Sequence, residues 1–576
     1  MKKIDPIIWS ITDGHDSSIN QFNYLTGESK HAELDKLIDE KHAFFTRYSK
    51  DAQRTMDSIL NNLVDVCGWN IPSHLVYKRT HGVDNTTLEP SDAARGVITY
   101  LSRIGKTGSF DNVNSKILPH HMCHALSAYH CSPYNNCVVL TWDGIGDGRY
   151  YSESVFRDGE LVDYTSPRWF VGLGSIMRWV GHVCKYHISP HVDKLETSAS
   201  LDYAGKVMGL SSYFEPGLPR DKHFREQVNQ YKKLMDALPD YQAWLKGEFL
   251  QKETLDANPV RAWDKPWTQD LDHDRKIVWS SEDEIMHCAA VQQAGSETFS
   301  ERLKSGKLAA KIKSADNNII IAGGTALNVV TNAYVREKNE FNVFVPPDPA
   351  DGGLSFGLSV WKAKQLGWKG YDHNNRPSRR ISGIPFNTKG LGLDIPNSRT
   401  VTSKEIADLL KEGKIIGLIQ GNIENGPRAL GNRSILCNPE FPDMRDKINS
   451  NIKNREWYRP FAPVCRLEDA PKWFSAKTFD NLEHMSFVVD VKEQYKDTFP
   501  SITHVDGTAR LQTVTAHSNP LLYSILNHHE NVLLNTSFNV QGKPILNDWP
   551  TAKKILDETD LDHIVFLNRH ELQLFS

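Results

Sequence analysis

Two stretches of the chain are built alike, and together they narrow its fold more than any other feature. Near the start, the apolar run Ile7-Ile8-Trp9-Ser10-Ile11 leads into Thr12-Asp13-Gly14-His15-Asp16. Further on, Cys137-Val138-Val139-Leu140-Thr141 leads into Trp142-Asp143-Gly144-Ile145-Gly146-Asp147-Gly148. Each reads as a short buried strand that stops at an Asp-Gly turn. After the second, Tyr150 to Phe156 and Glu160 to Tyr164 flank the turn Arg157-Asp158-Gly159 and complete a meander. A third strand-to-loop-to-helix passage runs from Asn318 through Gly323-Gly324-Thr325-Ala326-Leu327-Asn328. A fourth runs from Val343-Phe344-Val345 through Pro346-Pro347-Asp348-Pro349 to Ala350-Asp351-Gly352-Gly353-Leu354. Strands that alternate with helical segments predict an α/β protein.

A duplicated strand–turn unit suits a two-lobed architecture of the actin or sugar-kinase type, with the turns facing a nucleotide cleft. At 576 residues the chain exceeds what one core supports, so two or three domains are expected. Residues 219–265, rich in Lys, Glu, Gln and Leu, read as helical. The polar, Pro- and Gly-bearing stretch 371–400 is the predicted linker, dividing a domain over 1–370 from one over 401–576. The second domain opens with a helix over Ser403 to Glu412 capped by Ser403, then a strand over Lys414 to Ile419.

Charge and composition exclude several classes of function. Lys plus Arg number 67 against 71 Asp plus Glu, a net −4, so no global basic field favours nucleic acid as a partner. No apolar stretch has the length of a signal peptide or a membrane span. The cysteines at 67, 123, 131, 137, 184, 288, 437 and 465 form no CxxC pair and read as reduced thiols of a cytoplasmic protein.

Three constellations carry chemistry. In Pro119-His120-His121-Met122-Cys123-His124, His120 and His124 are spaced to share one face of a helix that Pro119 starts. Two such imidazoles either share a metal or simply make hydrogen bonds, and the residues alone leave both open. The absence of an intervening glutamate excludes a zinc protease. Asp143 and Asp351, at predicted strand ends, are candidate carboxylate ligands, and a two-His, two-Asp set suits Fe(II), Mn or Zn. Glycines at the junctions 144–148, 323–324 and 352–353 let backbone approach phosphate, although no Walker A or dinucleotide fingerprint is present. In the second domain GPRALGNRSIL carries Arg428 and Arg433, NIKNREWYRPFAPV carries Lys453, Arg455 and Arg459, HVDGTARLQTV carries Arg510, and LLNTSFNVQGKPI carries Asn535, Ser537 and Asn539. Arginine recognises phosphate bidentately; the alternative is arginines in surface ion pairs.

Taken together, HDSS, PHHMCHA, DGIGDG, GKVMGLSSY, GGTALN, GPRALGNRSIL, REWYRPFAPV, HVDGTARLQTV and NTSFN resemble, in matching order over nearly the whole chain, the carbamoyltransferase family named after the NodU and CmcH proteins, which includes the tobramycin carbamoyltransferase. The resemblance implies an actin-like N-terminal domain, similar to the threonylcarbamoyl-transferring protein, followed by a YrdC-like α/β domain. It implies that the second domain forms carbamoyl-adenylate from ATP, with Mg, and carbamoyl phosphate, using Arg428, Lys453, Arg459, Arg510, Asn535 and Ser537. The first domain would then transfer the carbamoyl group to a small-molecule alcohol, an expected step in natural-product biosynthesis. By the same resemblance, His120, His124, Asp143 and Asp351 hold a divalent metal, Fe(II) foremost. Gly324 and Asn328 contact the adenylate, His15 is the general base, and Asp13 lies near the acceptor. No nucleic acid and no membrane are expected as partners. A small-molecule kinase, a tRNA-modifying enzyme and a non-catalytic nucleotide-binding protein are the competing readings. The acceptor itself and the oligomeric state are not readable from the sequence.

Overall fold

Ile7, Ile8, Trp9 and Ile11 are all buried, and a run that is apolar on both faces belongs in the middle of a sheet. That is where the strand Ile7–Asp13 lies: the sheet runs Ser29–Glu33, Ser18–Asn23, Ile7–Asp13, His74–Arg79, Ser109–Asn112, antiparallel over the first three and parallel over the last three. The structure, a computed structural model, describes residues 6–14, 16–41, 43, 52–79, 92–104, 109–113, 116–146, 149–167, 172–188, 202–215, 220–237, 279–371, 382–388, 398–568 and 570–576. The chain divides into two compact units, Met1–Pro133 with Val345–Ser576, and Tyr134–Phe344.

Within the second unit, the sheet runs Glu160–Thr165, Arg149–Arg157, Cys137–Gly146, Asn318–Ala322, Asn342–Phe344. Here too three antiparallel strands are followed by parallel neighbours. The register of Cys137–Gly146 against Arg149–Arg157 shifts between Trp142 and Gly146. A bulge of this kind bends a strand end and re-aims the side chains there; Asp143 sits in it. The helix Arg220–Ala237 occupies part of the predicted helical stretch, and residues 238–278 lie outside the described residues.

In the first unit a larger mixed sheet of eight strands is ordered Ser398–Val401, Glu571–Phe575, His563–Asn568, Ile416–Ile419, Arg433–Cys437, Leu533–Ser537, Ala462–Arg466, Gln512–Val514. The helices Ser403–Lys411 and Pro520–His529 bury Ile406, Ala407, Leu410, Leu522, Ile525 and Leu526 in its core. The first of these helices is capped by Thr402, not by Ser403 as expected. Thr402 and Glu405 have the spacing of a capping box, and both reciprocal bonds form. Of the predicted linker, residues 371, 382–388 and 398–400 are described: the last three belong to the strand Ser398–Val401, while Pro385 bridges Asn422 and Asn387 bridges Asp548. A small sheet of Phe474–Ser475, Val488–Val491 and Thr508–Arg510 ends on Arg510. The architecture is mixed α/β. Among the described residues, no helix is long and apolar enough to cross a membrane. The eight cysteines are free thiols.

Candidate active site

Pro119 flanks the helix His120–Cys131 at its N-cap, with φ −58° and an extended ψ of 148°, rather than forming its first turn as expected. Nearly every side chain of this helix is buried, because it packs against the helix Leu354–Gln365 at backbone contact. A Cβ on Gly357 would meet the Cys123 carbonyl oxygen at 2.0 Å, so only glycine allows this approach. The same packing fixes the single turn Asp351–Gly353 that precedes the second helix. His120 and His124, one turn apart, face each other with their Nε2 atoms 3.1 Å apart. Asp351 Oδ1 lies 3.4 Å from His120 Nε2 and 3.3 Å from His124 Nε2. All three are sealed from solvent, at 0%, 2% and 3% exposure.

These separations test whether a metal fits. Ligands about 2.1 Å from one ion, at angles between octahedral and tetrahedral, lie roughly 3.0–3.4 Å apart. The three spacings are of that size. The donors are two imidazole nitrogens and a carboxylate oxygen, a set that suits a borderline divalent cation. The first unit therefore contains a possible metal site.

In the second unit, Asp143 is buried and accepts the Gly324 backbone N–H through Oδ1 at 3.0 Å. Gly324 opens a tight turn to Leu327, and Asn328 then caps the helix Val329–Lys338 by accepting from Thr331 N–H at 2.9 Å. The Asn328 amide is locked further by Gln292, donating to Oε1 at 2.9 Å and accepting from Nε2 at 3.2 Å. Its side chain is thus committed to holding that helix start. Asp13 ends its strand in the first unit, buried, and accepts from Tyr77 Oη at 3.1 Å. His15 lies outside the described residues.

The second-domain cations behave differently. Arg428 stands in the loop after Gly426, Arg455 and Arg459 in the loop after a wide helical turn over Ile448–Lys453, and Arg510 at the end of its strand. Burial pulls the Arg428 guanidinium down to about 10, and Arg459 adds to the effect. Burial, then Arg428, Arg455 and Arg459, push Arg510 well below its ordinary value. Burial and Arg459 do the same to Arg455. Lys453, 2% exposed, is held well below the usual lysine range by burial, Arg455, Arg459 and Lys41. The mutual influence of these groups shows that they converge. Glu456 answers part of the charge, 3.6 Å from Arg459.

Arginine does not shed its proton in a protein. Relief for such a cluster must come from an anion, and several cations around one point suit a polyphosphate. The Arg510 Nε atom is buried with no hydrogen-bond partner. Lys453 Nζ anchors the neighbouring loop, donating to Ser537 Oγ at 3.2 Å and to the Asn539 carbonyl at 3.0 Å. Ser537 Oγ in turn donates to Asn539 Oδ1 at 2.7 Å. Asn535 is fully buried; its Nδ2 donates to Gln512 Oε1 at 2.6 Å, while its Oδ1 has no partner.

Two residues change standing. Arg455 belongs in the cluster, although the sequence motif alone did not separate it from its neighbours. Arg433 does not: it is fully buried and donates to the carbonyls of Gln420 at 2.6 Å, Asn432 at 3.0 Å and Gly421 at 3.0 Å. It is a structural cross-link at the start of its strand.

The chain matches the family model for the carbamoyltransferase N-terminus over residues 2–360 and that for the carbamoyltransferase C-terminus over residues 407–571. The nodulation protein NolO of Bradyrhizobium diazoefficiens is 31% identical over 471 residues, covering 77% of this chain and 77% of its own. An uncharacterized protein of Methanocaldococcus jannaschii, MJ1058, is 27% identical over 560 residues, covering 91% of this chain and 83% of its own. Among solved structures, full-length HypF in its phosphate- and nucleotide-bound form aligns with a TM-score of 0.31 at 13% identity, covering 63% of this chain and 47% of that one.

Proposed function

The chain belongs to the carbamoyltransferase family, and from that premise we propose that it is an ATP-dependent O-carbamoyltransferase that works in two stages. The observation that carries this reading is the convergence of Arg428, Arg455 and Arg510 with the partly exposed Arg459, a crowding of like charge that suits a polyanion. The matched C-terminal region would then be a YrdC-like domain over 401–576 that binds ATP, with Mg, and carbamoyl phosphate. The matched N-terminal region would be an actin-like domain over 1–370. The shared strand order of its two five-stranded sheets supports that reading.

In the first stage carbamoyl phosphate loses inorganic phosphate to water, and the carbamate oxygen attacks the α-phosphorus of ATP. Pyrophosphate leaves and carbamoyl-adenylate remains. Arg428, Arg459 and Arg510 bind and neutralise the phosphate oxygens, while Lys453 and Ser537 shape the loop beside them. The unpartnered Asn535 Oδ1 offers an acceptor to the nucleotide or carbamoyl N–H.

In the second stage the acceptor hydroxyl attacks the carbamoyl carbon and AMP departs. His15 would take the hydroxyl proton and Asp13 would lie near the acceptor; a histidine titrates in the right range for that task. By the family motif Gly324 and Asn328 would contact the adenylate, Asn328 through its backbone because its side chain is committed to the helix start. His120, His124 and Asp351, with Asp143 as the fourth ligand that the motif implies, would hold the metal, Fe(II) by preference over Mn or Zn. A divalent cation there supplies charge stabilisation to the departing phosphate. The acceptor is a small alcohol of natural-product type, and the setting is the cytoplasm.

The test is stoichiometry. With ATP and carbamoyl phosphate together, the protein should release pyrophosphate and phosphate in equal amounts, each requiring both substrates. Formation of ADP instead would move the chain to the kinase reading.

A further inference from the structure

The loop that carries Arg428 is held by residues almost 400 positions away in sequence. Lys36 lies in the short helix Leu34–Ile38, its side chain only 3% exposed. Its Nζ donates to Glu33 Oε1 at 2.6 Å and to the backbone carbonyls of Glu424 and Gly426, each at 2.8 Å. Glu33 Oε1 in turn accepts the Gly426 N–H at 2.8 Å. One lysine–glutamate pair thus satisfies both backbone groups of Gly426. Burial alone would lower the Lys36 ammonium, but Glu33 and Asp35 hold it above its ordinary value, so it stays charged.

The far side of the loop is fixed from within. Glu424 Oε1 accepts three backbone N–H groups, from Leu430 at 2.8 Å, Asn432 at 2.6 Å and Arg433 at 3.1 Å. Gly426 itself has φ +82°, and a Cβ there would meet the Pro347 carbonyl oxygen at 2.4 Å. The segment Gly426-Pro427-Arg428 is therefore clasped between the Lys36–Glu33 pair and the Pro347–Asp348 backbone, which runs on to Asp351. Pro427 then leaves little freedom between the clasped Gly426 and Arg428.

We propose that Lys36 and Glu33 are positioning residues of the phosphate centre, setting from the first 36 residues of the chain where the Arg428 guanidinium stands. A buried ion pair is a weak device for stability alone, and registry is its better-attested use. The clasp makes the anion site a joint product of both matched regions of the chain. The inference rests on the reading of Arg428 as a phosphate contact.

The experiment is a double-mutant cycle on the full chain, with inorganic tripolyphosphate as the probe and its affinity measured by calorimetry. Arg428→Ala should weaken binding about tenfold, the loss of one charge-assisted contact. Lys36→Ala should weaken it about fivefold, and the double variant should be no weaker than Arg428→Ala, because both changes remove one interaction. Lys36→Arg, which keeps the charge and the donors, should recover most of the loss. Independent action of the two residues on binding would give a double variant about fiftyfold weaker, the product of the two, and would overturn the proposal. So would a folded Lys36→Ala that binds like the wild type while Arg428→Ala does not. Wild-type binding by Arg428→Ala would remove the phosphate reading itself, and the proposal with it. Where Lys36→Ala does not fold, Glu33→Gln takes its place in the same cycle, since it keeps an acceptor for the Gly426 N–H and loses only the charge.

Discussion

The histidine centre and the arginine centre both concentrate polar groups away from water, yet they are built with opposite sign. At the first, two imidazoles and a carboxylate bring their electron pairs to within 3.1–3.4 Å of one another, and every one of those atoms can donate to a cation. At the second, the guanidinium groups of Arg428, Arg455 and Arg510 and the Lys453 side chain crowd together, with the partly exposed Arg459 and the Glu456 carboxylate at their edge. A fold tolerates either only when the rest of the structure over-determines the position of each group. At the histidine centre the backbone contact at Gly357 does this; at the arginine centre it is loops pinned by Lys453, Glu424 and Lys36. Opposite electrostatics in one chain is what a reaction needs if it must hold an anionic donor in one place and stabilise an anionic leaving group in another.

The comparison breaks most visibly through the metal. His124→Ala should lower the affinity for Fe(II) or Mn(II) by more than about 100-fold, because loss of an outer partner alone costs 10–100-fold. Pyrophosphate release from ATP and carbamoyl phosphate should persist in the same variant. Metal analysis and a pyrophosphate assay on one preparation check both. If the folded variant loses both activities equally, the histidines serve structure and the two centres are not separate.

Arginines five residues apart in one motif sharpen the contrast. Arg510→Ala should slow pyrophosphate release about tenfold or more, from loss of a charge-assisted contact worth on the order of 1.5–3 kcal/mol. Its stability without phosphate should hold or rise, since a like charge leaves a crowded cluster. Arg428→Ala should behave in the same way. Arg433→Ala should do the reverse, losing on the order of 3 kcal/mol of stability as the buried Gln420 carbonyl loses its donor and the links to Gly421 and Asn432 are cut. Denaturant unfolding beside the pyrophosphate assay distinguishes the classes. A destabilised Arg510→Ala with normal kinetics would place Arg510 with Arg433.

Which of these features could be read in the sequence follows from how local they are. The His120–His124 pair is a spacing within one helical turn, so it is visible before any fold is known. The strands Ile7–Asp13, Cys137–Gly146 and Asn318–Ala322 are visible because each is apolar on both faces. The cap falls at Thr402 and not at Ser403, because both residues cap well and only the Glu405 partner decides. Arg428 and Arg433 look alike in GPRALGNRSIL; strand pairing buries one among carbonyls and leaves the other in the loop. The order of the eight-stranded sheet rests on pairings as distant as Ser398–Val401 with Glu571–Phe575, which no local pattern encodes. The clasp of Lys36 on Gly426 is of the same kind. Lys36 is an ordinary lysine in a short amphipathic segment until the chain returns to it.

The clasp also supplies the smallest effect, since it mixes both signs where the two centres each keep one. Asp35, beside Glu33 and Lys36, is pushed up to about 7 by burial first, then by the charges of Glu33 and Asp16, with Lys36 pulling the other way. Its unfolded value is near 3.9. Because the folded value is the higher one, the native state binds the extra proton between about pH 4 and about pH 7. The stabilisation is full below about pH 4 and is lost as pH rises through about 7. Stability should therefore fall across that window by at most about 2 kcal/mol, the shift being discounted for solvent screening at a half-buried group. Asp35→Asn should flatten this part of the stability profile, measured by denaturant unfolding in steps from pH 4.5 to 8. Were the slope unchanged in Asp35→Asn, the titrating group would be another member of the junction, and the charge balance that keeps Lys36 protonated would have to be redrawn around it.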